Sequence, residues 1–207
     1  MNKIHHTSII ENSVVIEDDV EIGPFCVISG NVKIGRGTRI FSHVSIGTLG
    51  EYPTRTDPEF SKNPRVEIGS NVTIREFVTI NSNVDDGMTK VGDSCYLMTK
   101  CHIGHDVILD NNVVCCSNSA VGGYSRIGKF TYVGLNASVH QRSIIGSYCM
   151  IGANSFFKGV SPDGITWAGV PALPKKLNLF NLQKNIEDLN TVDMICKNAE
   201  QFITEKY

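Results

Sequence analysis

The chain has 207 residues, 41% of them hydrophobic, with 19 basic residues against 21 acidic ones. That supplies one core, and a net charge of −2 at pH 7 creates no field to attract nucleic acid or an anionic membrane. The N-terminal stretch Met1-Asn2-Lys3-Ile4-His5-His6 lacks the apolar core of a signal peptide, and no apolar run reaches membrane-spanning length.

From the N-terminus, aliphatic residues recur at six-residue intervals. Ile4, Ile10, Ile16, Ile22, Ile28, Ile34, Ile40 and Ile46 keep the spacing without exception, and the register resumes at Ile68, Ile74 and Ile80. It resumes again at Val91 and continues through Leu97, Ile103, Leu109 and Cys115 to Phe157. Four places after each anchor the residue is small or β-branched, as at Val20, Val44, Val78, Val107 and Ala137; one place after it glycine recurs, as at Gly23, Gly69, Gly104 and Gly128. A helix cannot hold a strict six-residue apolar period, because the anchors would drift around its surface. Three short strands per coil, each giving one inward aliphatic residue, satisfy it, with glycines at corners where a side chain or a negative φ would be awkward. The expected fold is all-β: a parallel β-helix of hexapeptide repeats over residues 1–173.

The seven cysteines fit this reading. Cys26, Cys95, Cys101 and Cys149 share the small inward position with Val, Thr, Ser and Ala, so they read as buried fillers in a reducing, cytoplasmic compartment and not as a disulfide framework. Cys115-Cys116 has no second pair at zinc-ligand spacing.

The register breaks at residues 50–65, rich in proline and charge, and at 85–90, rich in turn formers. Both read as loops ejected from the coil, the usual carriers of binding residues. After Pro174 the spacing turns helical through Leu179, Leu182, Ile186, Leu189, Val192, Ile195, Ala199 and Phe202. Residues 174–207 are therefore expected to form one amphipathic helix or two short ones, capping or flanking the coil.

The chemistry is expected at Cys101-His102-Ile103-Gly104-His105-Asp106. Coils of about eighteen residues stack at strand spacing, about 4.8 Å, so Gly123 should lie directly above His105. A base beside a vacancy and a backbone N–H is what acyl transfer from a thioester needs: the base takes the proton of the attacking hydroxyl or amine, and the donor holds the oxyanion. Asp106 could fix the tautomer of His105. Strand alternation, however, sends adjacent side chains to opposite faces, so its contact is expected to be indirect. His140, almost two coils above Gly104, should line the same face. No Ser or Cys stands out as a nucleophile, which favours direct transfer. The alternatives are a surface histidine on a coil corner and, for His102 with His105, part of a zinc site. The zinc site needs a third histidine that the preceding coil, with Val84 and Gly87, does not offer, so no metal is expected. His5, His6 and His43 read as solvent or interface residues.

Arg65-Val66-Glu67-Ile68-Gly69, Ile74 to Ile80, His102-Ile103-Gly104-His105-Asp106 and Val139-His140-Gln141 together resemble the UDP-N-acetylglucosamine O-acyltransferases of lipid A biosynthesis, over roughly Ile22 to Pro171. The resemblance implies a left-handed coil and a homotrimer. It makes His105 the general base, Asp106 its orienting carboxylate and Gly123 the oxyanion donor, with His102, His140 and Gln141 lining the acceptor site. Tyr124 stands where that family has a histidine contacting the acceptor, and Lys62 is a loose counterpart of a loop lysine. Ala168-Gly169-Val170-Pro171-Ala172 is similar to the exit segment of acetyl-CoA-dependent hexapeptide transferases, implying donor contacts at Ala168, Gly169, Val170 and Pro171. The short C-terminus is similar to that of N-acyltransferases of nucleotide-linked amino sugars. The expected activity is therefore acyl transfer to an amine or hydroxyl of a nucleotide-linked sugar, from acyl-CoA or acyl carrier protein as co-substrate, with no permanently bound cofactor. The lipid A type O-acyltransferase and a non-catalytic trimeric scaffold are the alternatives.

Overall fold

The computed structural model of the chain describes residues 1–52, 65–85 and 87–206. Among these residues, short strands form three sheets of 10, 8 and 8 strands, and each sheet takes every third strand of the chain. The first sheet starts at Lys3–Ile4, the second at Ile9–Ile10 and the third at Val15–Ile16. Apart from the last pair of the first sheet, neighbours within a sheet are parallel and in register one coil apart, as His102 is with Ala120 and Ala120 with Ser138. Three sheets wound in this order are the walls of a three-sided parallel β-helix.

Both inward positions of the hexad face the interior. The aliphatic anchors from Ile22 to Phe157 are buried, and so are their small partners, including Val20, Thr38, Val72, Ser125 and Ala137. A fully buried Ile103 contributes about 2 kcal/mol of apolar transfer energy. The small position must stay small because three strands converge on a narrow axis. All seven cysteines are free, and burial raises the Cys95 and Cys101 thiols to about 12.

The glycines one place after the anchors serve by being small, and not by their φ. A Cβ on Gly69 would stand 2.7 Å from Asp93 N, and one on Gly104 would stand 2.9 Å from Val121 O, both in the next coil. The left-handed conformation falls two residues later, on non-glycine residues such as Phe25, His43, Asp106, Asn118, Tyr124 and Arg142, with φ between 58° and 61°. Most coil corners thus turn at a residue whose side chain leaves the apolar stack, though Gly37 and Gly164 turn two of them.

The excursion expected at 85–90 runs from Ser82 to Met88, because Thr89–Val91 is already a strand paired with Arg65–Ile68. Most of the loop expected at 50–65, including Lys62, lies outside the described residues. At the other end the last coil strand, Ile165–Ala168, is followed by an antiparallel strand, Leu173–Leu177, where helical spacing had suggested none. Two helices then follow, α1 (Leu179–Asn185) and α2 (Leu189–Lys206). Ala199 and Phe202 of α2 join the core at its open end, and the Trp167 ring meets Phe157 edge-on at 5.0 Å and Phe202 at 6.3 Å. The helix closes the end of the apolar stack that a further coil would otherwise cover. Among the described residues no helix is long and apolar enough to cross a membrane.

Candidate active site

His102 lies on a strand of the second sheet, and Gly104, His105 and Asp106 turn the corner into the strand Ile108–Leu109 of the third. Asp106 has φ +58°, so the extended alternation that would separate it from His105 does not hold there. The turn instead brings the Asp106 carboxylate onto its neighbour: Oδ2 is 3.0 Å from Nδ1 of His105. The contact expected to be indirect is direct. Both side chains are only 7% exposed, so His105 is not a surface corner histidine.

A carboxylate can only accept, so Nδ1 carries the proton and donates it to Asp106. Among the described residues Nε2 has no hydrogen-bond partner. The carboxylate itself is held from the other side: Val84 N–H donates to the same Oδ2 at 2.8 Å, and the Asp106 N–H donates to Thr89 Oγ1 at 2.8 Å. A Cβ on Gly87 would come within 3.0 Å of Asp106 Oδ1.

Gly123 stands one coil above His105, as the stacking arithmetic requires. A Cβ there would lie 2.5 Å from Nε2 and 2.6 Å from Cε1 of the imidazole, so only glycine leaves the ring its place. Gly122 donates to Val139 O and Tyr124 to His105 O. Among the described residues no hydrogen bond takes up the intervening Gly123 N–H. At equivalent corners, the N–H of Ser70 and of Ser147 is bound by an aspartate one coil on. Above Gly123 the corresponding residue is Gln141.

Tyr124 meets the His105 ring edge-on, with centroids 4.8 Å apart. Its hydroxyl donates to Asp85 Oδ2 at 2.5 Å, and the Arg142 guanidinium covers its ring at 4.3 Å. Burial, followed by the Asp85 contact, pushes the phenol pKa up, so Tyr124 stays protonated. His102 Nδ1 is 2.8 Å from Thr79 Oγ1, and burial lowers its pKa, which keeps it neutral near pH 7. Sequence reasoning missed the start of the first loop. Gly50 passes so close that a Cβ would lie 2.7 Å from the Cβ of His105, and the Tyr52 ring meets the imidazole at 5.9 Å. It also missed Val84, Asp85, Thr89 and Arg142. Of these only Arg142 could have been found by counting, since it lies one coil beyond Tyr124.

His140 and Gln141 lie on the same corner two coils above Gly104 and His105. The Nδ1–H of His140 donates to Gln141 O, and its ring meets Phe156 edge-on. Ala168, Gly169, Val170 and Pro171 form the exposed turn between the last coil strand and its antiparallel partner. That turn is at the end of the first sheet, and the structure does not bring it to His105. A cleft of about 410 Å³ runs past Asp106 and Tyr124, between Arg65 and Arg126. The nearby Cys101 points into the core with its thiol held protonated by burial, so it is no nucleophile. Among the described residues no three His, Cys, Asp or Glu side chains converge.

This is an imidazole whose Nδ1 is held by a carboxylate and whose Nε2 packs against Gly123, a residue whose own N–H takes part in no hydrogen bond among the described residues. Such an arrangement can accept a proton and stabilise an oxyanion in one step. Known proteins place the chain in the same chemistry. The family described as bacterial transferase hexapeptide (six repeats) matches residues 13–48. An acyl-(acyl-carrier-protein)–UDP-N-acetylglucosamine O-acyltransferase of Campylobacter concisus is 30% identical over 94% of this chain and 81% of its own length. One of Thermodesulfovibrio yellowstonii is 40% identical over 64% of this chain and 57% of its own. Among solved structures, LpxA of Acinetobacter baumannii superposes with a TM-score of 0.79 at 32% identity, covering 94% of this chain and 81% of that one. The UDP-N-acetylglucosamine acyltransferase of Campylobacter jejuni does so at 0.78 and 31%, covering 94% and 82%. The coil is accordingly left-handed and the protein is an acyltransferase, which sets the scaffold alternative aside. The chain belongs to the UDP-N-acetylglucosamine O-acyltransferase family.

Proposed function

We propose that the protein transfers an acyl group from an acyl carrier protein thioester to a hydroxyl of UDP-N-acetylglucosamine, with His105 as general base. The observation that carries this reading is the pairing of His105 with Asp106 on one side and Gly123 on the other. Nε2 of His105 takes the proton of the sugar hydroxyl as its oxygen adds to the thioester carbonyl. The tetrahedral oxyanion is held by the Gly123 N–H. Collapse breaks the C–S bond, and the imidazolium returns its proton to the leaving thiolate, so the base is regenerated within one turnover. Asp106 stabilises the imidazolium without itself being protonated. His102, neutral and beside the base, lines the acceptor pocket with His140 and Gln141. No covalent acyl-enzyme is required.

The donor and acceptor follow the names of the relatives, and the carrier-protein O-transfer kept as an alternative on sequence grounds becomes the first reading. A short acyl group moved from CoA to the amine of a nucleotide-linked sugar is the second. It is supported by the similarity of Ala168-Gly169-Val170-Pro171-Ala172 to the exit segment of acetyl-CoA-dependent hexapeptide transferases. The protein acts as a homotrimer in this reading, and seven unpaired cysteines suit a cytoplasmic site of action. Purified protein should be assayed with a hydroxyacyl carrier protein and with acetyl-CoA, each against UDP-N-acetylglucosamine and against a nucleotide-linked amino sugar. Acyl transfer from the carrier protein to UDP-N-acetylglucosamine supports the first reading. Transfer from acetyl-CoA to the amine alone replaces it with the second, and no transfer in any arm overturns both.

A further inference from the structure

We infer that Tyr124 is a positioning residue for the catalytic base: its hydroxyl latches the Asn83–Asp85 segment, which in turn holds the Asp106 carboxylate against His105. The inference rests on the acyl-transfer reading above and departs from it in one respect. Tyr124 stands at the place of an acceptor contact, yet its hydroxyl is engaged by the Asp85 carboxylate.

The geometry forms a closed circuit. Asp106, Tyr124 and Arg142 are eighteen residues apart and occupy the same corner of successive coils, each in the left-handed conformation. Tyr124 is therefore the residue stacked directly on Asp106. Its ring is confined by the His105 edge at 4.8 Å and by the Arg142 guanidinium at 4.3 Å, and its N–H is tied to His105 O at 3.0 Å. From that position the hydroxyl reaches the Asp85 carboxylate at 2.5 Å, a hydrogen bond strengthened by the charge on its acceptor. Asp85 adjoins Val84, and the Val84 N–H donates to the very oxygen of Asp106 that accepts from His105. The segment is tied further by Asn83, whose side chain donates to Asp85 O and accepts from the Arg65 N–H at 2.5 Å.

The irregular stretch Ser82–Asp85 belongs to no sheet ladder, so its position depends on such ties. The Tyr124–Asp85 bond joins it to the rigid coil one level above the base. Without that bond the Val84 N–H is less well placed, the carboxylate gains freedom to rotate, and the imidazole loses part of its alignment toward the acceptor. A misplacement of this kind lowers the rate of the chemical step and leaves substrate affinity alone.

The test is a double-mutant cycle on the full-length protein, with Tyr124→Phe, Asp85→Ala and the combination. kcat and KM for both substrates are measured alongside His105→Ala and the thermal transition. The expected result is a fall in kcat of about tenfold to a hundredfold in each single variant, with both KM values unchanged. The double variant should be no slower than the singles, because both substitutions cut one bond. A Tyr124→Phe variant with unchanged kcat and raised acceptor KM would make Tyr124 an acceptor contact and overturn the latch. Independent, multiplicative losses in the double variant would overturn it as well. If Tyr124→Phe unfolds, Asp85→Ala alone decides through the same kcat and KM split. Failure of the latch with an active wild type and an inactive His105→Ala leaves the acyl-transfer reading standing. Absence of wild-type activity in every substrate arm refutes that reading itself.

Discussion

Gly123 and His105 face each other one coil apart, and a Cβ on the glycine would stand 2.5 Å from Nε2 of the imidazole. The contact is with the nitrogen that must remain free, since Nδ1 is bound to Asp106. One methyl group there would therefore displace the ring proposed as the base.

Replacing Gly123 with Ala should cost activity on the scale of losing the base, about 10²- to 10⁴-fold in kcat. The stability cost of overpacking should stay within about 1–3 kcal/mol. Steady-state kinetics beside a thermal melt separates the two effects. Full activity in Gly123→Ala would show that the ring has room the geometry denies it.

His105→Ala is expected to lower kcat by about two to four orders of magnitude while the thermal transition changes little, because the side chain sits on the coil corner outside the apolar stack. Turnover near that of the wild type would remove His105 from the mechanism.

Asp106→Asn keeps an oxygen for the Val84 N–H but no longer carries a charge to support the imidazolium. Its kcat should fall by about 10- to 1000-fold, with KM for the acceptor little changed. If KM rises in place of the fall in kcat, Asp106 binds substrate and does not orient the base.

His102 adds a pH dependence to stability. Burial lowers its folded pKa below the ordinary histidine value of about 6.5. Between the two pKa values the unfolded chain binds more protons, so stability is lost as pH falls from about 6.5 toward the folded value and is fully present only above about 6.5. His102→Gln should flatten that part of the curve, losing less stability than the wild type between about pH 7 and about pH 5. Denaturant titrations at the two pH values decide it. Parallel losses in both proteins would place the acid sensitivity elsewhere.

Core packing gives an independent check on the coil. Ile103 is fully buried in the aliphatic stack next to the catalytic corner. Ile103→Ala should cost about 2–5 kcal/mol, read as a lower denaturation midpoint.

The coil and the heart of its site were legible because a six-residue period turns position along the chain into position in space. Counting by six identified the inward residues from Ile22 to Phe157, and counting by eighteen placed Gly123 over His105. The same arithmetic explained why the cysteines are inert. It misled at Asp106, where strand alternation was applied to a residue in the left-handed conformation, and no count reveals that a corner turns there.

What only the tertiary structure decided lies where the period fails. Gly50, Tyr52, Val84 and Asp85 belong to segments off the repeat, and their approach to His105 and its partners depends on how irregular backbone packs against the coil. Even Thr89, at the start of a strand, meets the Asp106 N–H at a spacing of seventeen and not eighteen residues. The exit turn at Ala168–Pro171 was likewise placed only by the fold, at the end of the coil away from the base. The sequence by itself determined a three-sided helix with a histidine facing a glycine. Only the tertiary structure decided that the histidine is oriented, because the Asp106 carboxylate that orients it is itself held by the Val84 N–H, from a segment obeying no repeat.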